Sequence, residues 1–196
     1  MIDVQFLSDT NIFVNLYHAY TDSTNLCEEY VKKYEKLGFV EPVHYEIKRT
    51  PNIYFKNKLS ILDLYKQLSE RYKIIYIDEL DNLTKQTYIE EMNNFGYLDY
   101  TGKQKAENNI GEKATLLISH LLEIPIIHTD DYNFIEYVEL NRNKYPDAEL
   151  IDLNTVLQTL VSDDQERIKL NKNISKNSHD YNDKAEKQKM DKKMEE

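Results

Sequence analysis

Val4-Gln5-Phe6-Leu7-Ser8-Asp9-Thr10-Asn11-Ile12-Phe13 reads as a short buried strand that ends on an acid and turns into a helix. A matching stretch lies far downstream. Ile124-Pro125-Ile126-Ile127-His128-Thr129-Asp130-Asp131 is again an apolar run that ends on acids, with a helical segment after it. If both runs are parallel strands of one sheet, their carboxyl ends share an edge. Asp9 then converges with Asp130 and Asp131 in one crevice. Carboxylates forced together are costly unless a cation neutralises them, so such a crevice implies a hard divalent metal.

Working outward from these two stretches, strands and helices alternate. Ile2 to Leu7, Lys73 to Ile77, Ile124 to His128 and Glu149 to Leu153 read as four strands. Ile12, Phe13, Leu16 and Tyr17 have helical spacing. Asp22-Ser23-Thr24 predicts a helix start, with a helix over Asn25 to Leu37 stopped by Gly38. Pro42 suits a first helical position, and Thr50-Pro51 ends that helix. Leu59, Leu62, Tyr65, Leu68 and Tyr72 mark an amphipathic helix, and Leu83, Tyr88 and Met92 another that Gly96 ends. Asp99 to Asn109 is polar and reads as a loop. Ala114, Leu117, Ile118, Leu121 and Leu122 make an apolar stripe that predicts a helix over Gly111 to Glu123. Phe134 to Leu140 continues as a helix, and Asn154 caps a last short one through Val161. The alternation implies an α/β fold, a central parallel sheet with helices on both faces.

Two segments follow from composition. Residues 1–161 carry the periodic pattern, and 40% hydrophobic residues overall suffice for a core there. Residues 162–196 are dominated by Lys, Asn, Asp and Glu. This tail cannot bury enough apolar surface to offset its ordering entropy, which predicts disorder or a lone solvated helix. From Asp163 onward nine acids balance nine bases, so the net charge of −10 sits on the first 162 residues. An acidic body is a poor non-specific binder of nucleic acid, so contacts to it must come from local basic patches. No apolar run is long enough for a membrane span, and no basic leader is expected at the N-terminus. Cys27 is the single cysteine, which excludes an internal disulfide and a cysteine zinc site and suits the reducing cytoplasm.

Each acid has a plainer reading. Asp9 can cap the helix at Ile12, and Asp130 or Asp131 the helix at Phe134. Glu112 stands three residues after Asn109, as in a capping box. Glu46, in Val43-His44-Tyr45-Glu46-Ile47, can be an ordinary helix-surface acid. None is convincing singly; order and context carry the weight.

Taken together, Ser8-Asp9-Thr10-Asn11, Tyr45-Glu46-Ile47, Gly111-Glu112-Lys113-Ala114 and Thr129-Asp130-Asp131-Tyr132-Asn133-Phe134 resemble the motifs of the PIN-domain nucleases, across about residues 2 to 155. The resemblance implies a three-layer α/β/α PIN-like domain over 1–161. It implies a metal-dependent endoribonuclease, with Asp9, Glu46, Glu112 and Asp131 as an acidic quartet holding Mg²⁺ or Mn²⁺. Asp130 is a second candidate ligand, and Asn11 and Thr129 would be accessory polar groups. In many such proteins the third acid is Asp, where this chain has Glu112. Lys48 and Arg49, Lys56 and Lys58, and Lys103 and Lys105 are the candidate contacts to RNA phosphates, or else solvated surface lysines. Proteins of this size in the family often resemble the toxins of bacterial toxin–antitoxin pairs, so an antitoxin-like protein partner is implied, and a homodimer is compatible.

Two other functions compete. One is a PIN-like binding module that acts through a protein partner with little catalysis. The other is a phosphotransferase with Asp9 as nucleophile, which would want an acid two residues on, where Asn11 stands, and a strand ending on lysine, which is missing. The histidines lack zinc-ligand spacing, and no glycine-rich phosphate loop or Ser/His/Asp arrangement is present.

Overall fold

A computed structural model describes residues 2–19, 25–55 and 58–195, the last four by their backbone alone. Asp22-Ser23-Thr24 and Lys56 lie outside the described residues. The chain forms one all-parallel sheet of five strands: β1 (Phe6–Ser8), β2 (Leu37–Val40), β3 (Lys73–Ile75), β4 (Ile126–His128) and β5 (Glu149–Ile151). Their order is β3-β2-β1-β4-β5. Strand alternation divides the side chains between two faces. Phe39 joins one core, with Phe6, Ile74 and Ile151 against it, and Leu7, Val40, Ile75 and Ile127 join the other. Helices α1 (Thr10–His18), α2 (Leu26–Lys33), α4 (Ile61–Gln67) and α8 (Leu153–Leu160) cover the first face. α5 (Asn82–Asn94), α6 (Ile110–Leu121) and α7 (Tyr132–Leu140) cover the second. α3 (Glu41–Arg49) puts Val43 and Ile47 into the first core and also contacts α6. The expected α/β class with a parallel sheet is observed. Among the described residues no helix is long and apolar enough to cross a membrane.

The structure corrects the expected element list at three places. First, Leu37-Gly38-Phe39-Val40 is a fully buried strand, not the end of a helix and its stop. Gly38 is small because the segment leading into β1 passes it closely: a Cβ there would stand 2.7 Å from Val4 Cγ1. A glycine after a charged helix resembles a C-cap, and only the neighbouring strand reveals its other use. Second, the last short helix begins at Leu153, and Asp152, not Asn154, caps it, accepting from Thr155 N at 2.8 Å.

Third, the charged tail is not a lone solvated helix. It forms α9 (Asp164–Glu195), whose Leu170, Tyr181 and Ala185 are buried against the first core, with Ile174 packed beside them. Asn177 Nδ2 donates to His18 O at 2.7 Å, and Tyr181 Oη donates to Pro51 O at 2.5 Å. These positions recur every three or four residues, so one stripe of a highly polar helix docks on the C-terminal end of α1.

Candidate functional site

The sheet order reverses between β1 and β4, which lie side by side with Ser8 opposite His128. In an open parallel sheet the crevice beyond the carboxyl ends of such strands is where a ligand fits. Asp9 and Thr129 are the residues that leave the sheet here. Asp9 N still donates to His128 O at 2.9 Å, and Thr129 N to Ile151 O at 3.0 Å.

Asp9 is only 1% exposed. It caps α1, as its plainer reading expects, with Oδ1 accepting from Thr10 N at 2.6 Å. Its other oxygen accepts from Asn11 Nδ2 and from Thr129 Oγ1, each at 3.3 Å. The two expected accessory residues thus both touch Asp9. Burial pushes its carboxyl well above the ordinary range, and the charges of Glu112 and Glu46 push it further. Hydrogen bonds from Thr10 and Thr129 oppose this and do not reverse it.

Glu46 reaches from α3 to two other helices. Its Oε2 accepts from Thr10 Oγ1 at 2.5 Å and its Oε1 from Gly111 N at 3.1 Å. The second bond serves the N-terminus of α6. Asn109, the residue before that helix, is left-handed at φ 61 and makes no side-chain cap. Glu46 therefore supplies from another helix the acceptor that a local cap would have given. Gly111 leaves room for this bond: a Cβ on it would meet the Glu46 carboxylate oxygens at 2.6 and 2.7 Å, and Glu46 would have to swing away. Burial raises the Glu46 carboxyl despite these bonds.

Glu112 lies in the first turn of α6 without the reciprocal Asn109 cap. Burial first, then the charges of Glu46 and Asp131, push its carboxyl up to about 7. Asp131 caps α7, its Oδ1 accepting from Phe134 N at 2.8 Å. Its backbone N–H donates to Thr129 Oγ1 at 3.2 Å. The Thr129 hydroxyl thus links Asp131 to Asp9. Asp130 turns elsewhere: its Oδ2 accepts from Asn15 Nδ2 at 3.0 Å, and the Leu153 backbone N–H also serves it. Asp9, Glu46, Glu112 and Asp131 are thus brought into one electrostatic neighbourhood, whereas Asp130 tethers α1 to α8.

Among the described residues none of these acids forms an ion pair with Lys or Arg, and no group of three or more His, Cys, Asp or Glu side chains is arranged to hold a metal ion as it stands. The donor chemistry fits a hard cation nonetheless: carboxylate oxygens only, with Asp9 and Glu112 raised by burial and by neighbouring acid charge. Some closure of the side chains would be needed to share an ion.

The expected basic contacts fare differently. Arg49 donates to the backbone carbonyls of Gly102 and Lys103, the latter at 2.8 Å, so it ties the 99–105 loop to α3. Lys48 lies over the Tyr45 ring, Lys103 is exposed, and Lys105 faces Glu107 at 3.7 Å. Instead, Lys113 lines a cleft of about 140 Å³ with Glu112, Asp131, Asn109, Asn133, Phe134 and Tyr137. Sequence reading passed over Lys113 because it lies inside the apolar stripe of α6. Its position directly after Glu112 was the available signal. Tyr132, beside Asp131, is 86% exposed. The Tyr97 hydroxyl donates to Asn108 O at 2.8 Å and is raised by burial and then by the charges of Glu112, Glu107 and Glu46.

Cys27 is buried packing, its thiol against Phe13 O and pushed up by burial. His128 is buried behind Asp9, with Nδ1 2.7 Å from Tyr30 Oη. A scan against protein-family models matches none, and comparisons with curated proteins and with solved structures give no match.

Proposed function

We propose that this chain is a metal-dependent endoribonuclease of PIN-like type, in which Asp9, Glu112 and Asp131 hold Mg²⁺ or Mn²⁺ and Glu46 anchors the start of α6, the helix that carries Glu112. One observation carries the reading. Beyond the point where the sheet order reverses, the Asp9 and Glu112 carboxyls are raised by burial and then by neighbouring acid charge, and neither forms an ion pair with Lys or Arg among the described residues. Such a site is unfavourable to folding unless something cationic fills it.

When bound, the ion supplies Lewis acidity and a water of lowered pKa at neutral pH. The side chains do the rest. Thr129 and Asn11 fix Oδ2 of Asp9, and Oδ1, with one bond from Thr10 N, keeps an acceptor position for a cation. Glu112 holds a proton near neutrality and releases it as a cation arrives. The Glu46 bonds to Thr10 and Gly111 keep α1 and α6 in register while that charge changes. The acidic crevice is also a surface that an antitoxin-like protein partner could mask.

The test is cleavage of a pool of single-stranded and structured RNA by the full chain in Mg²⁺, Mn²⁺ or EDTA, with Asp9→Asn as control. Metal-dependent cuts that vanish in the variant are expected. The looseness of the acid group favours a second reading, a PIN-like binding module that acts through a protein partner. No cleavage, together with no heat of metal binding by calorimetry, would select it.

A further inference from the structure

The nuclease reading leaves open what neutralises the substrate, since the body is acidic and Arg49 is committed to its own backbone. Lys113 is the basic side chain in the cleft beside the acids. It could have paired with Glu112, its neighbour in sequence, or with Asp131 across the same cleft. Among the described residues it forms neither ion pair. Its ammonium is held over the Tyr137 ring, 2.7 Å from the centroid, and lies 5.2 Å from that of Phe95. Aromatic faces hold a cation in place without neutralising its charge.

The rest of the cleft is mixed: Glu112 and Asp131, the proposed metal ligands, line its acidic side. Asn109 and Asn133 line it and carry amide donors. Its volume of about 140 Å³ leaves room for a small anionic group. Tyr132, next in sequence to the cleft residue Asp131, is exposed.

We infer that Lys113, with Asn109 and Asn133, forms a phosphate subsite next to the acidic crevice, filled by a backbone phosphate adjoining the one that is cut. The inference rests on the nuclease reading for the identity of the strand. A lysine ammonium binds phosphate as a point charge, and here one substrate segment would be drawn between opposite charges. The acids take a cation on one side of the strand, and Lys113 takes an anion on the other. Lys113 is then a substrate-binding residue, and Tyr137 positions it.

The experiment is binding of a fluorescent single-stranded RNA oligomer by the full chain at fixed Ca²⁺, over a series of salt concentrations. Lys113→Gln, Lys113→Arg and Tyr137→Leu are compared with the unaltered chain, and thermal unfolding of each checks the fold. The expected result is that Lys113→Gln weakens binding to all sequences alike and lowers the slope of log affinity against log salt by about 0.7, one phosphate on a single strand. Lys113→Arg should keep the slope, and Tyr137→Leu should weaken binding while keeping it. An unchanged slope in Lys113→Gln overturns the subsite, as does absence of RNA binding by the unaltered chain. Cleavage in Mn²⁺, measured alongside, separates the two readings. Cuts with an unchanged slope sink the subsite and leave the nuclease, whereas a lost phosphate contact without cuts sinks the nuclease and leaves the subsite.

Discussion

At the scale of single residues the site is a set of compromises that can be measured one at a time. Gly111→Ala sets two effects against each other. Alanine in a helix is favoured over glycine by about 1 kcal/mol, but a close clash in a packed site costs roughly 1–3 kcal/mol. With the Glu46 oxygens at 2.6 and 2.7 Å from the new carbon, the clash should win. Urea unfolding should find Gly111→Ala destabilised alone and stabilised in a Glu46→Ala background. The same sign in both backgrounds would show that Glu46 is not what requires the glycine.

Glu112 gives a pH signature. Its folded carboxyl titrates near 7, above the unfolded value, so the folded state binds the extra proton. That contribution is fully present below the unfolded pKa and is lost as pH rises through about 7. In EDTA, Glu112→Gln should therefore gain stability over the unaltered chain between pH 5 and 8, by about 2 kcal/mol once screening is allowed for. Thermal unfolding of both proteins across that range is the check, and parallel curves would refute it.

Among the elements, α9 is the one whose role depends on tertiary contact. Its sequence is polar enough that an isolated copy would gain little from folding. Its stripe from Leu170 to Ala185 nonetheless lies on α1 and on the segment after α3. Leu170 is 0% exposed, so Leu170→Ala should cost about 2–5 kcal/mol. Met190, 63% exposed on the same helix, should tolerate alanine within about 0.5 kcal/mol. Equal effects in denaturant unfolding would mean that the helix is not seated. The 99–105 loop makes a similar case, since Arg49 holds two of its carbonyls. Hydrogen exchange in Gly102 and Lys103 should quicken in Arg49→Ala and stay unchanged in Lys48→Ala.

For the whole molecule, two groups of buried titratable side chains pull stability in opposite directions. Burial lowers His18 and His128 to about 4. The unfolded chain then binds more protons between about 4 and 6.5, so stability falls as pH drops through that window. The raised acids Asp9 and Glu112 favour the folded state at low pH and disfavour it at high pH. A bound divalent cation removes only the second penalty, so Mg²⁺ or Mn²⁺ should raise the melting temperature most above pH 7 and shift the pH of maximum stability upward. Thermal scans with and without metal test this, and a metal effect independent of pH would remove the acids as ligands.

How much of this was legible beforehand follows from how far each signal reaches along the chain. The strand–acid–helix passages at Asp9 and at Asp131 are local patterns, and from them the sequence by itself determined the α/β class, the parallel sheet and the edge on which the acids gather. β2 was misread because Gly38 answers to Val4 across the sheet, not to its own helix. The docking of α9 was missed because its stripe holds too few apolar residues to be read without the surface that receives it. The cap that Glu46 lends to α6, the commitment of Arg49 to a loop and the placing of Lys113 in the cleft were decided only by tertiary structure. Each depends on which groups from distant segments compete for the same donor, acceptor or charge, and linear order does not encode that competition.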